Sequence, residues 1–182
     1  FEDRYDWQSD GDYWDYRTSY DAIEDDHTCE IMKWAELRDL VGGATSAVGS
    51  TGGSCISILV RNLDEDYEDH GFADYDLRYS SGRVTYLDES DGSYFSDELE
   101  SGDIEAVLNH VAEGIDNVDN HEIEHMFDIG MAGAGQRWVH ATDASTGQLA
   151  RLAEQGGGII WSPRSNLDLY ANTTSADIAL RL

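Results

Sequence analysis

With 182 residues, 40% of them hydrophobic, the chain carries enough apolar side chain for one sizeable core and is too apolar for a disordered acidic tail. Asp and Glu number 38 against 11 Lys and Arg, a formal charge of −27, which sets the surface against nucleic acid and anionic membranes. No apolar run reaches spanning length.

The acids are spread through the whole chain, as on halophilic surfaces: in molar salt the Debye length falls to roughly 3 Å and dense carboxylates stop repelling one another. Circular dichroism is expected to show structure in molar salt and its loss at millimolar salt; identical spectra would remove the halophilic reading. Asp64-Glu65-Asp66 and Glu68-Asp69 offer calcium ligands, yet no D-x-[DN]-x-[DN]-G loop ending in Glu is present. Cys29 and Cys55 are too few and too far apart for a zinc knuckle or a disulfide framework, so buried free thiols are expected. Without a signal peptide the expected location is cytoplasmic. The chain opens at Phe1 rather than Met and ends in mid-pattern at Arg181-Leu182, so a true N-terminus upstream, and with it secretion, stays open.

Residues 1 to 26 interleave Tyr5, Trp7, Tyr13, Trp14, Tyr16 and Tyr20 with Asp and show no clean period, which predicts a long loop packing its rings on a neighbouring surface. From Cys29 to Leu40 the apolar positions Ile31, Trp34, Ala35, Leu37 and Val41 recur at helical spacing, and Gly42-Gly43 ends the pattern as a C-terminal cap does. Thr45–Val48 and Cys55–Val60 are short apolar or β-branched runs bounded by glycines, as buried strands are. Residues 64 to 100 are acidic and irregular, with a strand or hairpin over Leu77–Leu87 around Ser81-Gly82. Then the pattern sharpens: a strand over Ile104–Asn109 ending at His110, a helix over Glu122–Ile129, and a strand over Arg137–Val139 ending at His140. A helix over Gln148–Gln155, a strand over Ile159–Trp161 and a last helix from near Ser175 follow. This alternation predicts an α/β fold with a parallel sheet, whose chemistry gathers at the C-terminal ends of the strands.

His110 and His140 stand at those ends, with Glu113 three residues beyond the first. Imidazole suits a zinc-class or iron-class ion, and a carboxylate beside it can shuttle protons to and from an activated water. The bland alternative is a pair of satisfied polar core histidines. A second pattern, His121-Glu122-Ile123-Glu124-His125, fits the H-E-x-x-H of a zinc protease. Against it stand the charged Glu124 at a middle position, Asp128 where the extended motif needs Gly, and the preceding Asp116–Asn120 turn, which suits a solvated outer helix. Trp161-Ser162-Pro163-Arg164-Ser165-Asn166 holds the only proline and reads as a rigid turn or as a loop lining a pocket. No G-x-S-x-G elbow or phosphate-binding Gly-rich loop occurs.

From Leu108 the chain reads LNHVAEG, a helix, RWVHATD, then QLARLAEQGGGIIWSPRSNLDLY. This stretch resembles the metal-dependent amidohydrolases of the chlorohydrolase and cytosine-deaminase type. There a strand ends in His-x-x-Glu, the next ends in His, and a following unit ends in a Pro-x-Ser-Asn loop. KWAELRDLVGGATSAVGSTGG is similar to that family's helix and second strand, so the likeness covers most of residues 29 to 182. It implies a partial (β/α)8 barrel, roughly parallel strands 2 to 7, with 1–26 as a loop region, 27–182 as barrel units and the whole as an internal fragment. It also implies that His110 binds zinc or iron, that Glu113 is the general acid/base, and that His140 binds or polarises water or substrate. Trp161, Ser165 and Asn166 would line the substrate loop. The implied reaction is hydrolysis of a C–N or C–halide bond in a small molecule. The chain departs from the family in having no His-x-His pair and in stopping before an eighth-strand Asp. A truncated barrel exposes sheet edges through which a homo-oligomer can form. A non-catalytic, degenerate barrel serving as a binding module is the second reading and the zinc protease the third.

Overall fold

The structure is a computed structural model that describes residues 1–48, 59–63, 77–80 and 82–182. They fall into two compact units, one formed by Phe1–Gln8 with Ser80–Leu182, the other by Ser9–Tyr79.

The first correction concerns residues 1 to 26, which are helical rather than a loop: α1 spans Arg4–Ser9 and α2 spans Gly11–Val41. Asp10 caps α2 by accepting from the Asp12 N–H, no glycine or proline stands between Gly11 and Gly42, and Arg17–Asp21 (2.9 Å) and stacked Tyr16–Tyr20 support it at i,i+4. The helix breaks pattern at His27 (φ −136°), and Gly42 closes it as expected. Cys29, on α2, is disulfide-bonded rather than a free thiol. The chain's other cysteine, Cys55, lies outside the described residues. Two cysteines distant in sequence need only backbones within roughly 7 Å of each other to bridge. The expected strand at Thr45–Val48 is β1, Ser46–Ala47, paired in parallel with β2, Arg61–Asn62. The Cys55–Val60 strand and the acidic clusters after Leu63 fall largely outside the described residues. Buried Glu36 accepts the Leu59 N–H at 3.0 Å.

Beyond β3 (Leu77–Ser80) and a 3-10 turn at Val84–Tyr86, the stretch read as irregular holds a thirteen-residue helix, α3, over Glu89–Ser101. A capping box between Asp88 and Asp91 starts it and left-handed Gly102 ends it. Gly92 is required inside it, since a Cβ there would lie 1.7 Å from the Ile129 carbonyl oxygen. The rest alternates as expected: β4 (Ala106–Val111), α4 (Asn117–Asp128), β5 (Gln136–His140), α5 (Thr146–Glu154) and β6 (Gly158–Ile160). The three strands are parallel neighbours in sequence order, a mixed α/β arrangement of consecutive strand–helix–strand units. Two differences remain. Helix α4 starts five residues earlier than its apolar pattern, at the Asp116/Asp119 capping box. The Pro163 segment is no loop but α6, Pro163–Tyr170, with proline at its first turn, where the missing N–H costs no helical bond. A short α7 (Ala176–Ala179) follows.

The register assigns two faces. Val107, Val111, Gln136, Trp138 and Ile159 fall on one side of the pleat, Leu108, His110, Arg137, Val139 and Ile160 on the other. The first side carries most of the core. Trp138 meets Phe127 edge-on at 5.1 Å and donates to the Met131 carbonyl at 2.9 Å, among Ile123, Met126, Leu149 and Leu152.

Candidate metal centre

His110 pairs in register with Val139, and His140 with Val111. An unbroken pleat would therefore send the two imidazoles to opposite faces of the sheet. Their rings nevertheless lie 5.1 Å apart. The backbone accounts for it: His140 has φ +73°, followed by Ala141 at +48°, so the pleat ends at the last residue of β5 and the side chain swings round. Ala112, directly after β4, has φ +51° on the approach to Glu113. Such left-handed residues cost on the order of 1–3 kcal/mol each and persist only where surrounding contacts over-determine them. Here the Ala141 and Thr142 N–H groups donate to the Val111 and Ala112 carbonyls, both at 2.9 Å, and the Thr174 hydroxyl donates to the His140 carbonyl.

His110, Glu113 and His140 thus converge at the C-terminal ends of two adjacent parallel strands, with one donor atom from each within 4.8 Å of the others. Among the described residues no other group of three His, Cys, Asp or Glu side chains is placed to hold an ion. The donor set suits a zinc-class or iron-class cation. Ligand atoms on a four-coordinate zinc sit roughly 3.3 Å apart, so the three groups would draw in by about 1.5 Å at the widest pair. The protonation pattern fits as well. Asn166 Oδ1 lies 2.6 Å from His140 Nδ1, an acceptor for a proton there, and His140 Nε2 faces Glu113 Oε1, 3.7 Å away. That distance is too long for a hydrogen bond. With no proton on Nε2, the two atoms would be acceptors facing each other across such a gap, which repel unless a positive charge lies between or beside them.

Glu113 has two further partners. The Arg4 guanidinium lies 3.6 Å from Oε2, both side chains buried, and the Tyr170 hydroxyl donates to Oε1 at 3.4 Å while accepting from Trp7 Nε1 at 2.8 Å. Burial and the neighbouring Glu113 carboxylate push the Tyr170 phenol up, so it stays a donor. Arg4 and Trp7 arrive on the N-terminal segment, which crosses the end of β4: Asp3 bridges to Gly114, and the Ile115 N–H donates to Glu2 O at 2.7 Å. Gly114 permits this crossing, for a Cβ there would stand 2.6 Å from Asp3 Cα and 2.4 Å from Asp119 Oδ2.

The H-E-x-x-H pattern is spent on the fold. His121, exposed, donates from Nδ1 to Asn117 O at 2.7 Å, and His125 donates from Nε2 to Leu87 O at 2.9 Å. Glu122 is buried: it accepts from the Ala112 N–H at 2.9 Å and from the Tyr5 hydroxyl, pinning the positive-φ turn after β4. Burial raises its pKa, against the pull of those donors and of Arg4. Of Trp161, Ser165 and Asn166, only Asn166 reaches the rim. Ser165 donates to Ser162 O at 3.3 Å within its own helix turn, and half-exposed Trp161 donates to Thr173 Oγ1 at 2.7 Å.

No protein-family model matches the chain, and neither a curated protein nor a solved structure is significantly similar to it. The functional reading therefore stands on the rim itself. Sequence reasoning missed Arg4, Tyr170 and Thr174. Tyr170 was legible in principle, since it lies four residues after Asn166 and shares its helix face.

Proposed function

We propose that the chain is a metal-dependent hydrolase of the amidohydrolase type, cleaving a C–N or C–halide bond in a small molecule, with β4 to β6 as consecutive units of a (β/α)8 barrel. The observation that carries it is the convergence of His110, Glu113 and His140 at one strand rim, achieved through left-handed backbone at His140. A zinc or iron ion would be held by His110 and His140, where it would supply Lewis acidity and lower the pKa of a nearby water. Glu113 takes up the proton of the attacking water and returns it to the leaving group. Arg4 keeps that carboxylate oriented between transfers. Tyr170 directs a donor at Oε1, leaving the lone pairs that face His140 for the proton in transit. Glu113 and His140 are themselves buried, which keeps bulk water off the carboxylate and the imidazole.

Calorimetric titration with zinc in molar sodium chloride, with the His110→Ala/His140→Ala double variant as baseline for loose binding to surface carboxylates, tests the reading. One added site per wild-type chain is expected, and the loaded protein should hydrolyse members of a panel of cyclic amidines, aminated heterocycles and haloaromatics. Wild type and double variant binding zinc and iron(II) alike would overturn it. Zinc binding with no turnover of the panel would favour a binding module, a reading supported by the ion pair in which Arg4 engages Glu113.

A further inference from the structure

We infer that Asn166 is a positioning residue: its carboxamide oxygen fixes His140 as the Nδ1–H tautomer and keeps the Nε2 lone pair turned into the rim. The inference rests on the proposed metal centre for its purpose, but the tautomer can be read without metal. Asn166 is fully buried on α6, and its Oδ1 lies 2.6 Å from His140 Nδ1. The reversed amide would donate to Nδ1 and make His140 the Nε2–H form. That form needs an acceptor, and Glu113 Oε1 at 3.7 Å is out of reach. One turn on, Tyr170 reaches Glu113 from the same face, so α6 presents two successive side chains, one orienting each member of the His140–Glu113 pair. The Asn166 contact also adds a third restraint, beside Thr174 and the Ala141 N–H, on a histidine in the left-handed region. An imidazole whose second nitrogen is held by a hydrogen-bond partner is both a stiffer and a more basic ligand.

The test uses the full chain labelled with nitrogen-15 at histidine, metal-free and in molar salt. Among the six histidines, His140 is assigned by the signals lost in His140→Asn. Long-range proton–nitrogen correlations are expected to show His140 protonated on Nδ1. Asn166→Asp keeps an acceptor and should keep that pattern, whereas Asn166→Leu should lose it and weaken zinc binding about 10- to 100-fold. Near-ultraviolet circular dichroism checks that each variant folds. Should Asn166→Leu not fold, the wild-type pattern and its retention in Asn166→Asp carry the inference. An Nε2–H histidine in the wild type, or an unchanged pattern and zinc affinity in folded Asn166→Leu, would overturn it. A wild type that shows the Nδ1–H form but ignores zinc would instead sink the metal centre and leave the tautomer assignment standing.

Discussion

Glu113→Gln is expected to lower turnover by about 10²- to 10⁴-fold while leaving one zinc bound per chain. The amide keeps the shape of the carboxylate and still presents an oxygen to Arg4, but it cannot accept a proton in the pH range of the reaction. The variant also removes one carboxylate that the buried Arg4 guanidinium faces, and breaking a buried pair typically costs about 3–5 kcal/mol. Activity must therefore be compared with circular dichroism on the same sample. A folded, zinc-loaded Glu113→Gln as active as wild type would remove the carboxylate from the chemistry. A variant that folds but no longer holds zinc would make Glu113 a ligand rather than a proton carrier. The same experiment in an Arg4→Met background separates the two costs, since the guanidinium is then absent.

How much of this was legible in the sequence differs by element, for physical reasons. The units from β4 to β6 carry apolar runs bounded by caps and glycines, and their order and direction follow from pattern alone, with strand ends displaced by one or two residues. Helix α2 was not legible before Cys29 because its aromatic and acidic side chains fall on every side, with Trp14 and Tyr16 exposed. Length without a helix breaker, not periodicity, was the available signal there. Helix α3 hid behind its acids and Gly92, although Asp88-x-x-Asp91 is a capping pattern written in aspartate. Capping boxes with Asp in place of Glu recur at Asp116-x-x-Asp119. In so acidic a chain, aspartate marks helix starts as much as solvent exposure.

At the site, spacing placed His110, Glu113 and His140 at strand ends, but it could not say that the histidines share a face. Strict alternation in the observed register puts them on opposite faces. What reunites them is a left-handed residue, and the tripeptide Val139-His140-Ala141 announces one only faintly, since histidine is enriched there but neither glycine nor asparagine is present. The contacts that hold it come from Asn166 and Thr174, more than twenty residues downstream. Arg4 is further still, brought in by the crossing of the N-terminal segment over Gly114.

Stability should fall as pH rises from about 4 to about 8, and Asp119→Asn should flatten most of that fall. Asp119 is buried at the start of α4, and its pKa is raised from 3.8 to about 8. Burial is the main cause, opposed by the Asp116 N–H that donates to Oδ2 and reinforced by the carboxylates of Glu122, Asp116 and Asp3. A carboxyl whose folded pKa lies above its unfolded one binds its proton more tightly in the folded state. Its stabilising contribution is complete below about pH 4 and is lost as pH climbs through the folded value, at up to about 1.4 kcal/mol per pH unit between the two. Asp88, whose carboxylate accepts from Ser90 and Asp91 and whose pKa is lowered, acts in the opposite sense but only at the acid end. Repulsion among the surface acids also grows with pH, which is why the comparison with Asp119→Asn, in molar salt, is needed to isolate one group. The asparagine can still accept from the Asp116 N–H, so the capping box survives the change. Urea unfolding at pH 5 and pH 8 is expected to show a clearly smaller loss of stability in Asp119→Asn than in wild type. Equal losses in the two proteins would show that this carboxyl is ionised and solvated in the folded chain, and that the crossing of the N-terminal segment over Gly114 does not seal it.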